Sequence, residues 1–132
     1  MSATFEWPVR IYYEDTDVGG VVYYANYLKF MERARTEYLR ARGFEQDRLM
    51  AEDGIMFAVV NAELTFRKAA RFNDLLHVSC AVEEHTRTTV RFAQDVRRGE
   101  DLLCEGRIRA ACLDVKSLRP RAIPDRVLEV AA

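Results

Sequence analysis

Residues 26–43 read NYLKFMERARTEYLRARG, and the spacing of their apolar side chains indicates the central element of the fold. Apolar residues recur there at intervals of four, three and four, which places them on one face of an α-helix. We therefore predict a long helix that begins between positions 23 and 27 with Asn26 as its N-cap, ends near Arg42 and stops at Gly43. The residues of the apolar face are Tyr27, Met31, Ala34 and Tyr38.

The sequence on both sides of this helix alternates between apolar and polar residues in the way that β-strands do. One such segment precedes the helix, and four follow it after a short helix over 45–53 that Gly54 closes. Because consecutive strands with short connections are typically antiparallel neighbours, we predict an α+β fold with the long helix on a five-stranded antiparallel sheet. The predicted strands are 5–14, 55–69, 75–85, 88–97 and 102–115, with a final short helix over 124–130.

Length and composition predict a single domain over residues 1–132. The net charge of -1 lacks the cationic excess that nucleic-acid binding requires, so we expect no nucleic-acid partner. The longest apolar run, Ile55 to Val60, is far shorter than the roughly 20 residues of a transmembrane helix. The N-terminus has neither the cationic start nor the apolar segment of a secretion signal. We therefore predict a cytoplasmic protein without membrane insertion.

The cysteines point to the same compartment. Cys80, Cys104 and Cys112 form no CxxC pair and lie in apolar, strand-like stretches, so we predict buried, reduced thiols. A catalytic thiol requires a nearby histidine, and the two histidines, His77 and His85, lie apart from each other in predicted strands.

A dense polar cluster precedes the long helix: residues 14–17 read EDTD, and glycines follow at 19 and 20. Glycine lets the backbone approach a ligand closely, and a helix N-terminus offers unpaired N–H groups and a positive dipole end. A carboxylate at this place can act as base or nucleophile while the amides stabilise an oxyanion. An exposed acidic turn before a helix has the same spacing, and the spacing alone leaves both interpretations open.

Two other kinds of site fit the sequence poorly. Asp15 and Asp17 resemble the start of a calcium loop, but the third ligand position is Gly19 and the twelfth loop position is Asn26 instead of glutamate. The chain also lacks the Gly-x-Ser-x-Gly motif of an α/β-hydrolase. We therefore expect no metal and no cofactor.

The wider stretch 10–27, RIYYEDTDVGGVVYYANY, resembles the signature of the hotdog-fold 4-hydroxybenzoyl-CoA thioesterase family, and more closely its YbgC-type acyl-CoA thioesterase branch. Residues 30–37, FMERARTE, and 118–124, LRPRAIP, resemble the central helix and the C-terminal segment of that branch. The resemblance implies a hotdog fold, in which a long central helix is wrapped by a curved antiparallel sheet. It also implies a homodimer or homotetramer with active sites between subunits, and hydrolysis of an acyl-CoA thioester.

The resemblance further implies roles for individual residues. Asp17, the second aspartate of the Asp-x-Asp pair, corresponds to the catalytic residue, and the backbone N–H near Tyr24 polarises the thioester carbonyl. Many YbgC-type proteins have histidine where this chain has Tyr24, so no imidazole role carries over and the acyl preference, short aliphatic or aromatic, stays open. Tyr13 is a further catalytic candidate, with a core aromatic as the alternative. The expected substrate contacts are Gly20, Val21, Tyr27, Arg119 and Arg121.

The cationic stretch that includes Arg119 and Arg121 has two interpretations. It could meet the phosphates of CoA or an acidic acyl-carrier protein, and a solvated surface fits it equally well.

Thioester hydrolysis requires only a few catalytic groups. A thiolate leaves easily because thiol pKa values are only about 8.5, so one carboxylate and one oxyanion site suffice. Asp17 either attacks the carbonyl to give a mixed anhydride or activates water. Two rival functions are a non-catalytic acyl-binding or scaffold protein of an envelope or lipid-synthesis complex, and a hotdog dehydratase. The dehydratase is disfavoured because the acidic loop lacks a histidine.

Overall fold

The long helix predicted from the apolar repeat is present as α1, Asn26–Ala41. Its predicted apolar face is buried throughout. Gly43 adopts a φ of 91°, the left-handed conformation that ends helices and favours glycine. The prediction of Asn26 as N-cap is wrong: Ala25 occupies that position, and Asn26 is the first helical residue. The reason is that the Asn26 side chain donates a hydrogen bond to the carbonyl of Asp15 instead of accepting one from the helix.

The computed structural model describes residues 4–131, and positions 1–3 and 132 of the predicted domain lie outside the described residues. All five predicted strands are present in one antiparallel sheet, and two short helices accompany them. The helix predicted over 45–53 consists of one α-helical turn, α2, and a π-helical turn, and Gly54 closes it with a φ of 69°. The bounds are β1 Phe5–Arg10, α2 Gln46–Arg48, π-helical turn Leu49–Asp53, β2 Ile55–Phe66, β3 Leu75–His85, β4 Thr89–Arg98, β5 Asp101–Asp114 and α3 Asp125–Ala131.

The first strand is shorter than predicted. The expectation of a strand over 5–14 is wrong beyond Arg10, because the chain bends after Ile11 into a 3₁₀ turn, Tyr13–Asp15. The Asp15 carboxylate stabilises that turn by accepting the N–H of Tyr12 at 2.8 Å.

The strands are arranged in the order β1-β3-β4-β5-β2. Sequential neighbours were expected throughout, and this is wrong for β2 and β3, which lie on opposite sides of the β4–β5 hairpin. The connecting segment, residues 67–74, crosses the end of the sheet, where the N–H groups of Arg67 and Lys68 both donate to the carbonyl of Leu103. Within residues 4–131, β2 pairs only with β5, so one edge of β2 is open.

Helix α1 lies directly on the inner face of the sheet at Gly106 of β5. A Cβ atom at Gly106 would come within 2.6 Å of the Met31 side chain, which is fully buried. Gln94 of β4, also fully buried, donates its side-chain N–H to the carbonyl of Met31 at 2.9 Å. Close packing and one buried hydrogen bond therefore hold the helix at the same point of the sheet.

Replacing Gly106 with alanine should destabilise the protein by about 1–3 kcal/mol, because the added methyl group collides with the fully buried Met31 side chain. Urea unfolding measures the loss. The control is a double-mutant cycle with Met31→Ala: the two single losses should sum to more than the loss in the double variant, because shortening Met31 makes room for the methyl group. Additive losses would contradict the role assigned to this contact.

Candidate active site

The acidic loop that precedes α1 forms a small hairpin. Thr16 bridges Val22, and the backbone N–H of Asp17 donates to the carbonyl of Val21 at 2.9 Å. The turn is closed by the N–H of Gly20, which donates to the carbonyl of Asp17 at 3.0 Å. Gly20 has a φ of 78°, so a side chain there would strain the turn. The hairpin thus fixes the backbone on both sides of Asp17.

This hairpin is fastened to the start of α1. The carbonyl of Asp15 accepts two hydrogen bonds at 2.9 Å, one from the backbone N–H of Tyr23 and one from the side-chain amide of Asn26. A third hydrogen bond runs from the N–H of Val22 to the carbonyl of Ala70, in the segment that crosses the sheet end. The loop and the helix N-terminus therefore form one hydrogen-bonded unit.

The Asp17 carboxylate is exposed in the single chain. Its Oδ1 accepts the backbone N–H of Gly19 at 2.8 Å. Its Oδ2 has no hydrogen-bond partner among residues 4–131 and is open to a substrate or water. One oxygen thus orients the carboxylate, while the other is available for chemistry.

The backbone N–H of Tyr24 is the candidate oxyanion donor. Tyr23 and Asn26 close a turn at the helix start, with the N–H of Asn26 donating to the carbonyl of Tyr23 at 2.9 Å. Within the described part of the chain, the N–H of Tyr24 donates to no other group. An unpaired amide at the positive end of a helix dipole favours a developing negative charge on a carbonyl oxygen.

A recess of about 300 Å³ opens beside this helix end, with Tyr24, Tyr27 and Phe66 among its lining residues. Their rings make edge contacts: Phe66 lies 6.3 Å from Tyr24 and 5.5 Å from Tyr27 between centroids. Burial raises the pKa of Tyr27, whose hydroxyl accepts the N–H of Ala70 at 3.4 Å. Tyr27 is thus a neutral part of the wall, and the recess suits an apolar group.

Two further predicted site residues lie beside the hairpin. The ring of Tyr13 is 76% exposed and stacks on Phe72, with centroids 3.9 Å apart. Val21 is half-buried and bridges Arg71 of the crossing segment. A core role for Tyr13 is therefore wrong in the single chain, and its catalytic role stays a prediction.

The two predicted cations lie at the other end of β2. The backbone of Arg119 accepts the N–H of Asp114, and its side chain makes no ion pair within residues 4–131. Arg121 Nη1 donates to the carbonyl of Gly54 and to Asp114. Gly54 immediately precedes β2, whose twelve residues span roughly 36 Å at the usual rise of a strand. Within a single chain, these two arginines are therefore far from the recess beside Tyr24.

Other catalytic groups find little support in the described residues. Cys80, Cys104 and Cys112 are free and buried, as predicted. Burial raises the pKa of both Cys80 and Cys104 to about 12, so neither supplies a thiolate near neutral pH. Between residues 4 and 131, no cluster of histidine, cysteine and carboxylate side chains is placed to hold a metal ion. None of the helices in that range has the length and apolar character needed to cross a bilayer.

A free carboxylate oxygen and an unpaired helix N-terminal amide thus lie on one hydrogen-bonded unit at the start of α1. Among known families, the model of the thioesterase superfamily matches residues 19–105 of this chain. The chain therefore belongs to the thioesterase superfamily and is an enzyme of that class.

Individual relatives are similar over nearly the whole chain. The acyl-CoA thioesterase YbgC of Haemophilus influenzae is 44% identical over 123 residues, which are 93% of this chain and 90% of that protein. The acyl-CoA thioester hydrolase YbgC of Escherichia coli is 42% identical over 125 residues, 94% of this chain and 92% of that protein. A crystal structure of a hypothetical protein from Aquifex aeolicus has a TM-score of 0.90 at 27% identity and covers 97% of this chain and 99% of its own. The family resemblance and the hotdog fold are thereby confirmed.

Sequence reasoning missed two contributors to the site. Phe66 forms a wall of the recess from the far end of β2, and no local pattern links it to the helix. Asn26 fastens the acidic loop, a role that the capping interpretation hid. The sequence did contain a signal for Asn26. An asparagine at the start of an apolar helix face is expected to be buried, and a buried amide requires a hydrogen-bond partner.

Replacing Asn26 with alanine should destabilise the protein by about 1 kcal/mol, because the variant loses a buried hydrogen bond to the carbonyl of Asp15. Amide hydrogen exchange at Asp17 should accelerate, since its N–H is protected by the same hairpin. The matched control is Asn61→Ala at an exposed position of β2, which should leave that exchange unchanged. Equal protection of the Asp17 amide in both variants would contradict the role assigned to the hydrogen bond between Asn26 and Asp15.

Proposed function

We propose that this protein hydrolyses acyl-CoA thioesters to the free acid and CoA, with Asp17 and the backbone N–H of Tyr24 as its catalytic groups. One observation carries the proposal: an unpaired carboxylate oxygen and an unpaired amide belong to the same hydrogen-bonded loop and helix start. The names of the two YbgC relatives support CoA as the carrier of the acyl group.

The geometry supports a short reaction sequence. The thioester carbonyl oxygen accepts the N–H of Tyr24, which draws electrons from the carbonyl carbon. Asp17 then attacks that carbon and expels the CoA thiolate, leaving a mixed anhydride that water hydrolyses. In the second route Asp17 removes a proton from the attacking water, and no covalent intermediate forms. Oxygen from labelled water in the Asp17 carboxylate after one turnover would identify the anhydride route.

The acyl group that fits best is short-chain or aromatic. The recess beside Tyr24 has walls of Tyr27 and Phe66, whose rings favour flat or compact apolar groups. Lys68 and Arg67 lie on its rim, but both already pair with carboxylates, so they leave the recess with little net charge. An acyl group with its own charge fits this recess less well.

A homodimer would complete the site. The open edge of β2 exposes Val59 and Val60 by 51% and 57%, and an unpaired strand edge is a ready surface for pairing with a second copy. In a two-fold pairing of two β2 edges, the strands run antiparallel. The start of β2 in the second copy then lies beside Phe66 of the first and brings its Arg119 toward the acidic loop. There the cation can meet the phosphates of CoA.

A homotetramer of two such dimers is the larger assembly that the family resemblance implies, and the three reduced cysteines fit a cytoplasmic location. An acidic acyl-carrier protein is the second partner that the cation at Arg119 suits. The whole chain, residues 1–132, acts as one catalytic domain in this proposal.

Asp17→Asn should lower kcat for acyl-CoA hydrolysis by at least about a hundredfold, the usual cost of removing an acid–base group, with the fold unchanged by circular dichroism. The control is Glu14→Gln, which removes an exposed carboxylate of the same loop and should retain activity. A panel of acetyl-, short-chain, long-chain and benzoyl-CoA measures both. Near-normal turnover by Asp17→Asn would overturn the proposal. Binding without hydrolysis by the unaltered protein would favour the non-catalytic acyl-binding function.

Val60→Lys should prevent pairing of two β2 edges, because a lysine on an open strand edge opposes pairing and brings like charges of the two copies together. We expect a monomer in sedimentation and loss of acyl-CoA hydrolysis, with secondary structure retained. Val130→Lys replaces an exposed valine of α3 and should leave the oligomer and the activity intact. An active monomer of Val60→Lys would show that a second copy is unnecessary for catalysis.

A further inference from the structure

A partly open cavity of about 170 Å³ lies between the inner face of the sheet, α1 and α3. It shares no lining residue with the acidic loop or the recess beside Tyr24. The cavity borders α1 at Arg35. This residue lies nine positions beyond Asn26 and therefore about 14 Å further along the helix. The apolar walls of the cavity include Phe57, Val82, Val90, Phe92, Ala110 and Val127.

Arg35 brings a positive charge to this apolar space. Its Nη1 donates to Oε1 of Gln94 at 3.0 Å, and Gln94 is itself held by the carbonyl of Met31, so the guanidinium has a fixed orientation. Nε and Nη2 donate to no group among residues 4–131, and Arg35 forms no ion pair there. Burial lowers the pKa of Arg35. The fixed donors therefore have unused capacity for an anion.

The other charged and titratable groups on the cavity wall are Glu32 and His85. Glu32 is exposed, and its Oε1 accepts the hydroxyl of Thr36 at 3.1 Å instead of a guanidinium N–H. His85 is exposed at the end of β3. Glu32 attracts the guanidinium of Arg35 from this exposed position without forming an ion pair, and neither residue supplies a buried counter-charge.

We propose that this cavity binds a small monocarboxylic acid with a short aliphatic or aromatic tail. The carboxylate pairs with the free N–H groups of Arg35, whose planar fork matches two carboxylate oxygens, and the tail lies against the apolar walls. A cavity of about 150 Å³ is known to take up benzene, so the available volume holds one ring or a chain of about six carbons.

The acids released by the proposed hydrolysis belong to this chemical class, but the cavity contains no residue of the proposed catalytic pair. The two proposals therefore fail independently of each other. If Arg35 served only to hold Gln94, the one N–H group that it donates to Oε1 would be enough. The other N–H groups of the guanidinium would then have no role.

Calorimetric titration of the full protein with hexanoate and benzoate tests the proposal. Arg35→Met should weaken both affinities at least about tenfold, because the carboxylate loses its charge-assisted hydrogen bonds. Arg33→Met is the matched control: Arg33 is exposed on the same helix and lies over the ring of Phe30, and its removal should leave both affinities unchanged. Neutral 1-hexanol should bind the unaltered protein at least about tenfold more weakly than hexanoate.

A second variant keeps the test decisive if Arg35→Met fails to fold. Ala110→Leu adds three carbons to the cavity wall without touching the guanidinium and should abolish acid binding while circular dichroism stays unchanged. Asp17→Asn should bind hexanoate as the unaltered protein does. The proposal is overturned if neither acid binds, if Ala110→Leu binds normally, or if Asp17→Asn loses the binding, since that last result would locate the acid in the catalytic loop.

Discussion

The contact of Met31 with Gly106 is the constraint on which the rest of the structure depends. A side chain at position 106 would collide with the end of the buried Met31 side chain. The carbonyl of the same residue accepts the buried amide of Gln94, so both interactions hold α1 at one point of the sheet. Because α1 is rigid and is held at its middle, both of its ends take defined positions. One end carries the acidic loop, and the other half borders the cavity at Arg35.

Each end of the helix offers a different chemistry for this reason. At the N-terminus, the unpaired N–H of Tyr24 and the dipole favour negative charge on an oxygen, and Asn26 keeps the loop of Asp17 in place. Further along, Arg35 places a guanidinium in apolar surroundings, where it is fixed by Gln94. The proposed hydrolysis and the proposed acid site thus depend on one packed helix while sharing no side chain.

Features with a local cause were predictable. The apolar repeat predicted the bounds of α1 to within one residue at its C-terminal end, and Gly43 stops it by conformation alone. The turn between β4 and β5 also has a local cause, because Gly99 has a φ of 59°, a conformation that favours glycine. The end of β1 at Arg10 was missed because the strand-like alternation continues to Tyr13, where the chain has already bent into the turn that Asp15 stabilises. The catalytic role of Asp17 came from the family resemblance and stays a prediction.

The sequence by itself determined the elements and the cluster of groups around Asp17, since helix periodicity, strand alternation and turn residues act over a few neighbours. Only the tertiary structure decided that β2 crosses to the outer edge, that Phe66 meets Tyr24, and that Arg35 lines a cavity. These are contacts between distant parts of the chain, and their formation depends on how the buried surfaces of all elements fit together. No local pattern specifies such a fit.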